Sequence, residues 1–116
     1  MRKIANPRVG IDIVYIPKFS RSIEKQGEPF LSKIFLETEL ASGDNPGHLA
    51  GIFAAKEAAV KALSIPSGNW LKIFVSREKS GRPKIQLLDE KYNIKNYDLS
   101  ISHDGDYAIA IFMAYL

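Results

Sequence analysis

Asp12 interrupts the apolar run "VGIDIVYI", and Glu57 and Lys61 are two of three charges in the helical-looking stretch "GIFAAKEAAVKALS". Aspartate is depleted in strands, and a buried, unpaired carboxylate costs several kcal/mol, roughly. Asp12 therefore either sits at a strand end or bulge that lets it reach water, or is placed to meet a cation. Glu57 and Lys61 are four residues apart, so on a helix they share a face. Two readings stay open. The pair is a narrow solvated stripe, or it projects into a site where Glu57 holds a hard cation and Lys61 meets phosphate. One or two carboxylates with substrate phosphate oxygens are a usual Mg²⁺ environment. Asp12 and Glu57 would supply both if their strand and helix are neighbours. His103, in "SISHDGD", falls at a strand end before a tight turn, where side chains reach surface clefts; an exposed or capped histidine is the plainer alternative. Arg82 in "KSGRP" is a phosphate contact or a solvated hairpin tip. His48 receives no role.

The elements that must position these residues read as α+β. A first strand spans about Arg8 to Ile16. In the next stretch Phe30, Ile34, Phe35 and Leu40 mark an apolar helical face, punctuated by Pro17 and Pro29. Asn45 is the candidate N-cap of a long helix, with Pro46 at its first position and Pro66 stopping it after Leu63 or Ser64. Ile52, Phe53, Ala59, Val60 and Leu63 form an apolar arc, and alanines at 54, 55, 58 and 62 permit close packing around the rest. "NWLKIFVSREKSGRPKIQLL" predicts two strands about a turn at 79–82 that uses Gly81. "DEKYNIKNYD" is a polar connection with room for one helical turn. "LSISHDGDYAIAIFMAYL" predicts a hairpin turning at Asp104-Gly105 whose last strand, apolar on both faces, is central in its sheet.

Composition excludes several classes. The 116 residues suit one domain, 1–116, and the 46% hydrophobic and 25% charged fractions are those of a globular protein. No apolar run reaches membrane-spanning length, and "MRKIANPRVG" lacks a signal core, so the cytoplasm is the expected compartment. With no cysteine, a metal must sit on oxygen or imidazole. The net charge of +3 favours acidic partners only mildly.

Taken together, "GIDIV", "FAAKEAAVKAL", "SGRP" and "SISHDGDYAIA" resemble the holo-acyl-carrier-protein synthases, the small group of phosphopantetheinyl transferases, over nearly the whole chain. The resemblance implies the 4'-phosphopantetheinyl transferase fold: an antiparallel sheet packed against a long helix in the order β-ααα-ββ-ββ. It implies Mg²⁺-dependent transfer of 4'-phosphopantetheine from coenzyme A to a serine of apo acyl carrier protein, releasing adenosine 3',5'-bisphosphate. A homotrimer with interfacial active sites, and a role in fatty acid biosynthesis, come with it. Asp12 and Glu57 fall on the family's metal ligands, Lys61 on its phosphate-contacting lysine, and His103 on a histidine near the coenzyme A nucleotide, contributed by the adjoining subunit. Lys18, helped by Arg21, falls where the family docks its carrier. Asp12, Glu57 or a water on the metal is open as acceptor of the serine proton.

The chain departs from the family pattern at Tyr15, Lys18, Lys33, Leu36 and Ile52. Three of these, Lys18, Lys33 and Ile52, stand where arginine is usual. Lysine loses bidentate geometry and isoleucine loses the charge, so substrate contacts are where the departures act. Ile52 and Tyr15 motivate an alternative, a relative that binds carrier protein without transferring. A basic module for nucleic acid is a second alternative, opposed by scattered basic residues and the lack of an aromatic-basic motif.

Overall fold

A computed structural model describes residues 6–116. The start of the N-terminal stretch read for a targeting signal, residues 1–5, lies outside them. The order is β1 (Pro7–Tyr15), α1 (Ile16–Gln26), α2 (Glu28–Ile34), α3 (Glu37–Ala41), α4 (Pro46–Leu63), a 3-10 turn (Trp70–Lys72), β2 (Ile73–Arg77), β3 (Pro83–Leu87), β4 (Asn96–Asp104) and β5 (Tyr107–Tyr115).

The sheet β1-β5-β4 is antiparallel with β5 in the centre, as its two apolar faces require. A second antiparallel pair, β2-β3, turns through Gly81 at φ 90°. One face of the larger sheet carries Gly10, Val14, Leu99, Ala108, Ala110, Phe112 and Ala114, all buried. Helix α4 lies across it. Its alanines 54, 55, 58, 59 and 62 are buried, so the backbones approach closely. The approach is tightest at Gly10, where a Cβ would stand 1.8 Å from the Ala58 carbonyl oxygen.

The α4 boundaries follow from local chemistry. Asn45 Oδ1 accepts from the Gly47 and His48 amides at 2.8 and 3.3 Å, and Pro46 begins the helix. Ser64 ends it in the left-handed region. Elsewhere the expected elements are refined. The stretch after β1 forms three helices, so the chain has four in all rather than three. Gly27 at φ 62° separates α1 from α2, and extended Phe35 and Leu36 separate α2 from α3. Tryptophan 70 does not open a strand; it opens a 3-10 turn, and β2 starts at Ile73. The connection from Asp89 to Lys95 contains a turn and no helix.

Candidate active site

Strand alternation puts Asp12 on the same sheet face as Gly10 and Val14, the face that meets α4. It is neither a strand end nor a bulge, since it stays in register opposite Ala110. Lys61 of α4 supplies its partner, donating to Asp12 Oδ1 at 3.1 Å and to the Ile11 carbonyl at 2.9 Å. Of the two open readings, a solvated Glu57–Lys61 stripe gives way to a pair between elements. The reason is geometric: α4 runs so close to β1 that Lys61 reaches the strand sooner than it folds back along its own helix.

Glu57 finds a different partner. Its Oε1 accepts from the Trp70 indole Nε1–H at 2.8 Å. Asp12 and Glu57 nevertheless line one open cleft of about 540 Å³, with Lys18 at its rim and Phe19, Phe30 and Phe53 as apolar wall. Phe19 and Phe53 stack at 5.4 Å between centroids, which keeps that wall in place. Among the described residues no group of three or more His, Cys, Asp or Glu side chains converges on a metal position. A two-carboxylate cleft fits a cation whose remaining ligands are water and substrate phosphate, the habit of Mg²⁺, and does not fit a fully protein-caged ion.

Lys56, the third charge of α4, faces neither solvent nor cleft. It points inward, and its side chain and that of Glu39 are both 0% exposed, with Nζ 2.6 Å from Oε1. Nζ also donates to the carbonyls of Ile34 and Trp70, at 2.7 and 3.0 Å. Glu39 accepts in addition from the amides of Leu36 and Val75, each at 2.8 Å. Burial pushes the Lys56 ammonium below the ordinary lysine value, while the hydrogen bond and charge of Glu39 pull it back up. This satisfied pair joins α2, α3, α4 and β2 behind the cleft.

His103 lies elsewhere. It rests against the first turns of α4, with Nε2 3.0 Å from the Gly47 carbonyl oxygen, and a Cβ at Gly51 would stand 3.1 Å from its ring. Beside it is a second cavity, about 380 Å³, lined by Ser42, His48, Ile52, Arg77 and Ile101 among others. His48 bonds Ser42 Oγ at 3.0 Å, and its proton affinity is lowered by burial first, then by the charges of Arg77 and His103. Within one chain, then, Asp12, Glu57, Lys61 and Lys18 come together and His103 does not join them. Arg21 lies on α1, one turn beyond Lys18. Arg82 pairs with Asp98 of β4 at the hairpin tip, the solvated reading of that residue. Sequence reasoning passed over Trp70 and His48; neither lies in a pattern that announces a side-chain bond to a distant element.

Residues 8–112 match the family model described as the 4'-phosphopantetheinyl transferase superfamily. The chain belongs to that superfamily, among the enzymes called holo-[acyl-carrier-protein] synthases. The holo-[acyl-carrier-protein] synthase of Campylobacter fetus is 44% identical over 108 residues, spanning 88% of this chain and 94% of that protein. The crystal structure of the Helicobacter pylori holo-[acyl-carrier-protein] synthase in complex with coenzyme A superposes with a TM-score of 0.85 at 34% identity, covering 93% of this chain and 99% of that one. A Bacillus anthracis holo-(acyl-carrier-protein) synthase in complex with CoA (3',5'-ADP) gives 0.77 at 30% identity, covering 92% and 94%.

Proposed function

We propose that residues 1–116 act as one transferase domain, which moves 4'-phosphopantetheine from coenzyme A to a serine of apo acyl carrier protein. The observation that carries this reading is the shared cleft of Asp12 and Glu57, with Lys61 bonded to Asp12, in a chain that superposes on a coenzyme A-bound relative. The serine Oγ attacks the β-phosphorus of the coenzyme A pyrophosphate. A new P–O bond forms, the bond from the β-phosphorus to the bridging oxygen breaks, adenosine 3',5'-bisphosphate departs with that oxygen, and the serine proton passes to Asp12, Glu57 or water. Such a reaction needs in-line positioning and charge neutralisation more than a covalent protein nucleophile.

Asp12 and Glu57 would hold Mg²⁺, which when bound would offset the negative charge of the pyrophosphate. Lys61, whose side chain is half exposed, is free to exchange its contact with Asp12 for a phosphate oxygen. Lys18 on the cleft rim, helped by Arg21 one turn on, meets the acidic carrier protein as hydrated or forked positive charge. His103 contacts the nucleotide end of a coenzyme A bound mainly to the adjoining subunit.

That last role requires assembly, and the outer face of the large sheet supports it. Val9, Ile11, Ile13, Tyr15, Tyr107, Ile111, Met113 and Tyr115 are all exposed there. An apolar patch of this extent marks an interaction surface, and further copies of the same chain, forming a homotrimer, are its occupants here. No described helix is long and apolar enough to cross a membrane. The test is product release: incubation with coenzyme A, Mg²⁺ and apo carrier yields adenosine 3',5'-bisphosphate. A carrier whose acceptor serine is replaced by alanine yields none. Equal release from both carriers, or none from either, would refute transfer to that serine.

A further inference from the structure

The chain has one tryptophan, and its hydrogen-bonding capacity is directed at the cleft although the chemistry above gives it no task. Its indole Nε1–H donates to Glu57 Oε1 at 2.8 Å. Its ring packs on Phe53, 5.9 Å between centroids, and Phe53 and Glu57 both line the cleft. Its main-chain carbonyl accepts from Lys56 Nζ, the ammonium held in the buried pair with Glu39. Trp70 is thus anchored at both ends: its backbone by a fully buried ion pair, and its ring by an aromatic wall.

A donor anchored in this way fixes the direction of the oxygen it binds. The donor type matters as well. An indole N–H occupies a lone pair of Glu57 without cancelling its charge, whereas Lys or Arg in that position would compete with a cation. Outer hydrogen bonds of this kind orient carboxylate ligands and tune how well they hold metal. We infer that Trp70 is a positioning residue, which orients Glu57 for Mg²⁺ and couples the cleft to the Lys56–Glu39 pair behind it. The inference rests on the reading of Glu57 as a metal ligand.

Trp70→Phe separates this role from packing, because it keeps a ring on Phe53 and the backbone acceptor for Lys56 while deleting the N–H. With coenzyme A and carrier protein saturating, the Mg²⁺ concentration for half-maximal transfer should rise roughly tenfold or more. Turnover at saturating Mg²⁺ should return to near the parent rate; a purely structural loss would not be repaired by metal. The parent chain offers a second readout without activity. At fixed coenzyme A, fluorescence of the single tryptophan should change saturably with Mg²⁺, and Glu57→Gln should abolish the change. An unaltered Mg²⁺ requirement in Trp70→Phe overturns the inference, as does a flat tryptophan signal across the Mg²⁺ range that activates the parent. If Trp70→Phe fails to fold, the fluorescence comparison decides alone. A parent chain that transfers without any Mg²⁺ dependence removes the metal reading itself, and this inference with it.

Discussion

Asp12 and Lys56 are both charges placed among apolar neighbours, but their surroundings differ in kind. Lys56 is sealed, with every donor direction met by Glu39 or a carbonyl, so its charge is spent on holding four elements together. Asp12 and Glu57 border open space, and among the described residues each keeps a single side-chain partner, Lys61 or Trp70. Charges left at a cleft under such light restraint are available to a ligand. Asp12→Asn and Glu57→Gln should each lower transfer about a hundredfold or more, the scale of losing several kcal/mol of charge stabilisation. Circular dichroism and melting should stay near the parent, and the double variant should lose far less than the product of the two. Near-parent turnover by either single variant at limiting Mg²⁺ would contradict the assignment. The sequence carried Asp12, because a carboxylate amid strand-forming residues is locally anomalous. It did not reveal which of Lys56, Glu57 and Lys61 turns inward. That choice depends on Glu39, seventeen residues away from Lys56 along the chain, and no helical period encodes such a contact.

At the scale of elements, the decisive relation is the approach of α4 to β1, since it brings Lys61 to Asp12 and puts Glu57 on the same cleft. Small residues on both sides permit it, Gly10 most sharply. Gly10→Ala would drive a methyl group into the Ala58 carbonyl. The helix or strand must then shift, at a cost of about 3 kcal/mol or more, at or above the upper end of ordinary overpacking. Denaturant unfolding should show the loss, and transfer should fall in the protein that remains folded because Asp12 and Glu57 separate. A Gly10→Ala protein as stable and active as its parent would show that the approach is looser than described. Helix α4, the β2-β3 hairpin and the central position of β5 were all legible in advance, each having its own local mark: Asn45-Pro46, Gly81, and an apolar strand on both faces. The three-way break after β1 was not. The apolar spacing of Phe30, Ile34, Phe35 and Leu40 suits a helix, but burying Phe35 and Glu39 in one core requires an extended step between α2 and α3.

For the whole molecule, the outer sheet face and the position of His103 both bear on the proposed assembly. A single chain exposes Ile11 (57%) opposite Ile111 (42%) at the middle of the β1-β5 pairing. It also keeps His103 with Gly47 and Gly51, away from the cleft-lining carboxylates. Under the proposed assembly that face is covered, and His103 serves a nucleotide held by another copy rather than by its own cleft. Sedimentation equilibrium should therefore give a trimer for the parent at micromolar concentration. Ile11→Glu with Ile111→Glu, which puts like charges into the face, should give a folded monomer without transfer. A fully active monomer would contradict sites built between subunits.

The most direct measurement is the intact mass of purified apo acyl carrier protein after incubation with this protein, coenzyme A and Mg²⁺. The expected result is a mass gain equal to one 4'-phosphopantetheine, mapped by fragmentation to a single serine and absent with chelator or with Glu57→Gln. A carrier that keeps its apo mass under these conditions, while binding the folded protein, would contradict transfer as the function of this chain.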